Sequence, residues 1–196
     1  MTDWPFGGLP RNHYGAVVAD PPWRFEAWSG KGTARAADNH YNTMRIDDLA
    51  ALPVSELAAD DCALFMWISW PMLRDAMSLI DSWCFSYKTC AFAWLKANVQ
   101  QADLFRDDAD AQVGLGYWTR ANSEVCLLAT RGSPKRLNAD VRQGIIEPRR
   151  EHSRKPACVH DRIERLVAGP YLELFARARR QGWDCWGLEV NKFQPT

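Results

Sequence analysis

The chain has 196 residues, 47% of them apolar, with 24 basic side chains against 24 acidic ones; this suits one domain spanning 1–196 and leaves little for a second. Zero net charge excludes a histone-like polycation, so any nucleic-acid contact must be local. Six scattered cysteines without metal-ligand spacing, no signal pattern and no membrane-spanning apolar run predict free, mostly buried thiols, no metal and a cytoplasmic protein without membrane contact.

Gly15 to Ala19 predicts a short buried strand, because Val17 and Val18 favour extended backbone and the run carries no charge. It ends in Asp20-Pro21-Pro22-Trp23. The two prolines stop a sheet ladder and leave carbonyls exposed beside an acid and an indole. Residues 27–44 are polar and rich in Gly and Ala, which predicts a long mobile loop at the strand's carboxyl end, a usual place for function in an α/β sheet. Residues 46–60 predict short helical turns, 62–68 an apolar strand, and 71–83 a helix with Leu73, Met77 and Ile80 on one face. Strands are predicted at 85–96 and 123–132, an amphipathic helix at 156–167 through Val159, Ile163 and Leu166, and closing strands at 171–175 and 183–190. This alternation argues an α/β fold, a three-layer sandwich on a mostly parallel sheet, with some antiparallel pairing at its carboxyl-terminal edge.

An exocyclic amine on an aromatic ring is a poor nucleophile because its lone pair is delocalised. Holding both amine hydrogens from one side draws the nitrogen towards tetrahedral geometry and frees that pair. A carboxylate and a main-chain carbonyl one residue later supply the two acceptors, and a flat side chain next in line can stack on the ring. Asp20, the carbonyl of Pro21 and the indole of Trp23 fit these roles, held stiffly by Pro21 and Pro22. The plainer alternative is a proline-rich turn with a partly buried tryptophan.

Several pieces in order carry a resemblance across nearly the whole chain: "ADPPW" at 19–23, "YNTM" at 41–44, "LFMWIS" at 64–69, "FAWLKAN" at 92–98, "GYWTRANSEVCLLATRG" at 116–132, "REHSRKP" at 150–156 and "YLELFARARRQGWDCWG" at 171–187. Together they resemble the MT-A70-type adenine N6-methyltransferases, which use S-adenosylmethionine. The resemblance implies a Rossmann-like class I methyltransferase sheet and an enzyme acting on adenine. It implies that Asp20, Pro21, Pro22 and Trp23 are the catalytic tetrapeptide, with Asp20 also bordering the cofactor. Lys155 looks like the contact to the cofactor carboxylate. Phe175, Arg177 and Arg179 look like further cofactor contacts, joined by Gly187 and Glu189. One departure stands out: where the family pattern expects asparagine, this chain has Leu188, so Glu189 or Asn191 must substitute or the cofactor is held more weakly. Glu173, inside a strand, is expected to point outward, and Arg179 and Arg180 read equally well as a solvated basic turn.

An amine inside a duplex is hidden by pairing, so the enzyme must flip the nucleotide or take single strands. Tyr41, Thr43 and Met44 are placed to close over the flipped base. The basic run from Arg131 to Lys155, including Arg149 and Arg150, is the candidate phosphate-binding face. Trp67, Trp83 and Trp94 read as core, and Trp28 and Trp118 as candidate base or partner contacts. DNA is the expected partner, with RNA as the alternative. A non-catalytic nucleic-acid-binding subunit remains the competing class, and a homodimer or partner subunit is left open.

Overall fold

The computed structural model describes residues 4–24, 43–97, 118–149 and 154–193. Among them, one seven-stranded sheet comprises β1 (Tyr14–Ala19), β2 (Ala58–Ile68), β3 (Ser86–Ala97), β4 (Ser123–Arg131), β5 (Gly144–Pro148), β6 (Tyr171–Leu174) and β7 (Trp183–Trp186). The spatial order is β5-β3-β4-β2-β1-β6-β7. Neighbouring pairs are parallel except the two that β4 makes, with β2 and β3. The antiparallel strand is therefore internal. The carboxyl-terminal edge, expected to hold the antiparallel pairing, is parallel because β7 aligns with β6.

Alternation along the strands builds two apolar layers. Tyr14, Val17 and Ala19 of β1 join Leu64, Met66 and Ile68 of β2 on one face, covered by α1 (Ile46–Ala50) and α2 (Leu73–Ser82). Ala16 and Val18 join Phe65 and Trp67 on the other face, covered by Val159 and Ile163 of α3 (Cys158–Leu166). Helices on both faces of a mostly parallel sheet give the Rossmann-like three-layer sandwich.

Trp67, Trp83 and Trp94 are buried in the core, with the indole N–H of Trp83 on the Leu49 carbonyl and that of Trp94 on the Glu147 carbonyl. The buried face of α2 is rotated from its sequence reading: Ala76, Leu79 and Ile80 are buried while Leu73 is exposed. Met72, which closes the 3-10 turn Trp70–Met72, is buried where Leu73 is not, and with Ala76, Leu79 and Ile80 it forms the inward face. The sequence reading also overlooks β5, which lies at the sheet edge inside the basic run and buries Ile145. The six thiols are free, but only Cys62 and Cys126 are buried; Cys84 is exposed. No helix among the described residues is long and apolar enough to cross a membrane.

After β4 the chain turns at Gly132, where φ is +62° and a Cβ would run into the Asp60 carbonyl oxygen and the Asp61 carboxylate. Both the left-handed backbone and the close approach require glycine here. Gly132→Ala is expected to lose about 2 kcal/mol, seen as a fall of about 4–8 °C in Tm by thermal unfolding.

Candidate active site

Parallel register brings distant segments to one end of the sheet. Ala19 pairs with Met66 on one side and with Leu174 on the other, so Asp20 lies just past the carboxyl end of β1, level with the exits of β2 and β6. Because β4 runs the opposite way, its first residues arrive at the same end: Glu124 pairs with Trp94 near the exit of β3. Residues far apart in the chain thus surround one carboxylate.

Asp20 Oδ2 accepts hydrogen bonds from Lys155 Nζ at 2.8 Å and from Arg177 Nη1 at 3.3 Å. Both cation contacts fall on this one oxygen. Lys155 Nζ also lies 3.3 Å from Glu124 Oε2, and Glu124 Oε1 accepts from Lys96 Nζ at 2.5 Å. On the other side Arg177 Nε lies 3.4 Å from Glu189 Oε2, whose second oxygen accepts from Lys192 Nζ at 2.7 Å. Lys96, Glu124, Lys155, Asp20, Arg177, Glu189 and Lys192 therefore alternate in sign along one row. Burial by itself would raise the Glu124 carboxyl, but the Lys155 and Lys96 ammonium groups hold it down at about 2. Burial would lower the Lys155 ammonium, yet the carboxylates of Asp20 and Glu124 on either side raise it above the ordinary lysine value.

The cleft beside Asp20 is walled by Lys155, His160, Glu173, Phe175 and Arg177. Phe175 takes a left-handed conformation at φ 59°, costly for an aromatic residue and characteristic of binding sites. Gly187 lets the chain following β7 approach closely: a Cβ there would lie 2.9 Å from Ala176 N and 3.0 Å from Phe175 C. Phe175 and Arg177 wall this cleft, while Gly187 packs on the backbone of 175–176 and Glu189 pairs with Arg177 from outside it. Arg179 is exposed, with Nε on Asn191 Oδ1 at 3.1 Å, and lines an adjoining groove of about 490 Å³ with Gly187, Leu188 and Glu189.

Within the tetrapeptide, Pro21 is buried and its carbonyl accepts from the Trp23 amide at 2.8 Å. The Pro22 carbonyl accepts from the Met44 amide at 2.9 Å, and Met44 pairs with Trp23 in an isolated parallel bridge. The two carbonyls expected to stay exposed each hold one internal donor, which leaves Pro21 a second lone pair. Trp23 is 7% exposed and its indole N–H donates to the Trp67 carbonyl at 3.2 Å, so the ring belongs to the core cluster. Thr43 is half-buried beside Met44.

Tyr41, Arg150 and Trp28 lie outside the described residues. Arg149 is exposed just past β5, at the end of the sheet that carries Asp20, whereas Arg131 closes β4 at the opposite end, level with Cys62. The basic run is therefore divided between the two ends. Glu173 does not point outward to solvent: Oε2 sits 3.0 Å from His160 Nε2 at the cleft wall. Arg180 is bonded to Glu164 and Asp161 of α3, so it is a tether to the helix instead of a solvated turn.

Sequence reasoning missed Glu124 and Lys96. The visible signal is an acid directly ahead of the apolar run 125–129 of β4 and a lysine at the exit of β3, both at positions that a buried strand would fill with apolar residues. Since the folded Glu124 pKa of about 2 lies below the ordinary 4.5, its stabilisation is complete above about pH 4.5 and disappears as pH falls towards 2. Urea unfolding across that window is expected to show the wild type losing on the order of 3 kcal/mol more than Glu124→Gln loses. Parallel curves for the two proteins would remove Glu124 from the row.

The MT-A70 family model matches residues 14–189. The chain is 34% identical to the type II methyltransferase M.MunI of a Mycoplasma species, an alignment covering 96% of this chain and 84% of that protein. It is 29% identical to an N(6)-adenosine-methyltransferase MT-A70-like protein of Arabidopsis thaliana over 91% of this chain, and 28% identical to the human N(6)-adenine-specific methyltransferase METTL4 over 94%. It spans only 24% and 39% of the lengths of those two proteins. With the fold, the tetrapeptide and the family match in agreement, this chain belongs to the MT-A70 family of methyltransferases.

Proposed function

We propose that the chain acts as a single methyltransferase domain that transfers a methyl group from S-adenosylmethionine to the N6 amine of adenine in DNA. The observation that carries this reading is the state of Asp20: two cations hold Oδ2, while Oδ1 accepts no hydrogen bond among the described residues. A carboxylate pinned at one oxygen and open at the other is preorganised to take an amine hydrogen. The Pro21 carbonyl, with one lone pair remaining, takes the second hydrogen. Trp23 positions both acceptors by anchoring the tetrapeptide to the end of β2.

The residues around the cleft suit S-adenosylmethionine. Lys155 and Arg177 are donors fit for a carboxylate, Asp20, Glu173 and Glu189 are acceptors fit for an ammonium and hydroxyls, and the Gly187 approach leaves the flat Phe175 region uncrowded. Arg179 and Asn191, joined to each other beside exposed Leu188, supply polar groups where Leu188 itself has none. Bound there, the cofactor supplies an electrophilic methyl on a sulfonium. Asp20 and Pro21 orient the amine towards it, and the methylated amine sheds its proton readily, so the site needs an acceptor and no strong base. Six free thiols suit the reducing cytoplasm.

The choice of DNA follows length. The chain matches the Mycoplasma type II methyltransferase across most of both proteins, and compact stand-alone members of the family resemble prokaryotic DNA methylases. RNA is the second reading, favoured by a Cryphonectria parasitica relative named an N6-methyladenosine RNA methyltransferase, 27% identical over 91% of this chain.

Transfer of labelled methyl to DNA and RNA, followed by nuclease digestion and identification of the product nucleoside, tests the proposal. N6-methyladenine is expected in DNA, with Asp20→Ala reducing kcat by at least about 100-fold. Preference for RNA would overturn the choice of polymer, and absence of both transfer and cofactor binding would overturn the enzyme reading. Lys155→Met is expected to weaken S-adenosylmethionine binding by at least tenfold in calorimetry, because it removes a charge-assisted donor and leaves two carboxylates facing each other.

A further inference from the structure

The tetrapeptide brings a tryptophan to the site, yet that ring is 7% exposed. A different tryptophan stands open at the same rim. Trp70 begins the 3-10 turn that follows β2, three residues past Trp67, whose carbonyl receives the Trp23 N–H. It is 52% exposed, while Trp23, Trp67, Trp83, Trp94 and Trp183 are all buried.

Trp70 is also oriented. Its indole N–H donates to Ser123 Oγ at 3.1 Å, and Ser123 immediately precedes Glu124 of the charge row. Pro71 restricts the backbone after it, and buried Met72 anchors the turn below. An exposed indole with its donor satisfied internally offers a flat apolar face and no unmet hydrogen bond. The cost of ordering the ring is met by the fold before any ligand arrives. Arg120, three residues before Ser123, is exposed and makes no ion pair among the described residues, so a cation suited to phosphate stands on the adjoining segment.

We propose that Trp70 is a stacking platform for a nucleobase of the substrate strand next to the target adenine; this rests on the reading that the site methylates nucleic acid. Every base presents a π-face, so such a platform adds affinity with little sequence preference. An aromatic face beside the exit of the target base also takes up the neighbour that loses its stacking partner when adenine leaves the strand.

The test is fluorescence anisotropy with labelled single-stranded DNA, single-stranded RNA and duplex DNA, alongside steady-state methyl transfer, on the full chain. Trp70→Ala is expected to weaken oligonucleotide binding about tenfold and to raise KM for nucleic acid by a similar factor. The Tm, the kcat and the S-adenosylmethionine Kd should stay unchanged. Trp70→Phe should retain most of the affinity, and Trp70→Leu, which keeps apolar volume without a flat ring, should lose it; this pair decides the matter should the alanine variant not fold. Unchanged oligonucleotide affinity in Trp70→Leu would overturn the proposal. So would loss of self-association without loss of oligonucleotide binding, which would assign the ring to a protein contact. Binding without methyl transfer by the wild type would defeat the catalytic reading while leaving the comparison of Trp70 variants intact. A wild type that binds none of the three nucleic acids would overturn the platform itself.

Discussion

One oxygen of a half-buried carboxylate, Asp20 Oδ2, holds two cations that both come from the carboxyl-terminal quarter of the chain, and the site depends on that shared contact. Neither Lys155 nor Arg177 can be taken out of water alone without a large desolvation cost. Asp20 offsets it for both, and Glu124 and Glu189 complete the compensation from the outer sides. Each charge in the row is held by neighbours of opposite sign, so none moves independently. Removal of a middle member leaves two like charges half-buried and facing each other, which costs more than loss of an exposed ion pair would.

The sheet explains how such a row is built. In a wholly parallel sheet the carboxyl ends alone would supply the site. Turning β4 around brings the start of a strand to that end, and with it Glu124 and Ser123. The acid thus stands between the lysine at the exit of β3 and the lysine ahead of α3, while Ser123 fixes the Trp70 ring. The same reversal sends Arg131 to the opposite end, which is why a basic run continuous in sequence is not continuous in space.

The tetrapeptide and the alternation of strands and helices were legible because their signals are local: β-branched residues before Asp-Pro-Pro-Trp, and apolar spacing in α3. Glu124 was not legible, because its meaning depends on Lys155, and only strand pairing reveals that proximity. β5 was hidden by its neighbours: Ile145 and Ile146 are too short an apolar run to stand out among arginines, and an edge strand buries only the first of them. Trp23 was misleading for a different reason. An indole beside an acid invites a stacking role, but the carbonyl of Trp67 at the end of β2 needs a donor, and Trp23 supplies it from the core.

Asp20 lies 135 residues from Lys155 and 157 from Arg177 in the chain. Contacts of that separation carry a large loop-closure entropy cost. During synthesis the tetrapeptide leaves the ribosome long before either cation, so a nascent chain carries Asp-Pro-Pro-Trp without any means of using it. The Asp20–Arg177 pair therefore cannot form before β6 and the residues after it have been made. Until then the carboxylate lacks one of its two cations, so the row is complete only once most of the chain has been made.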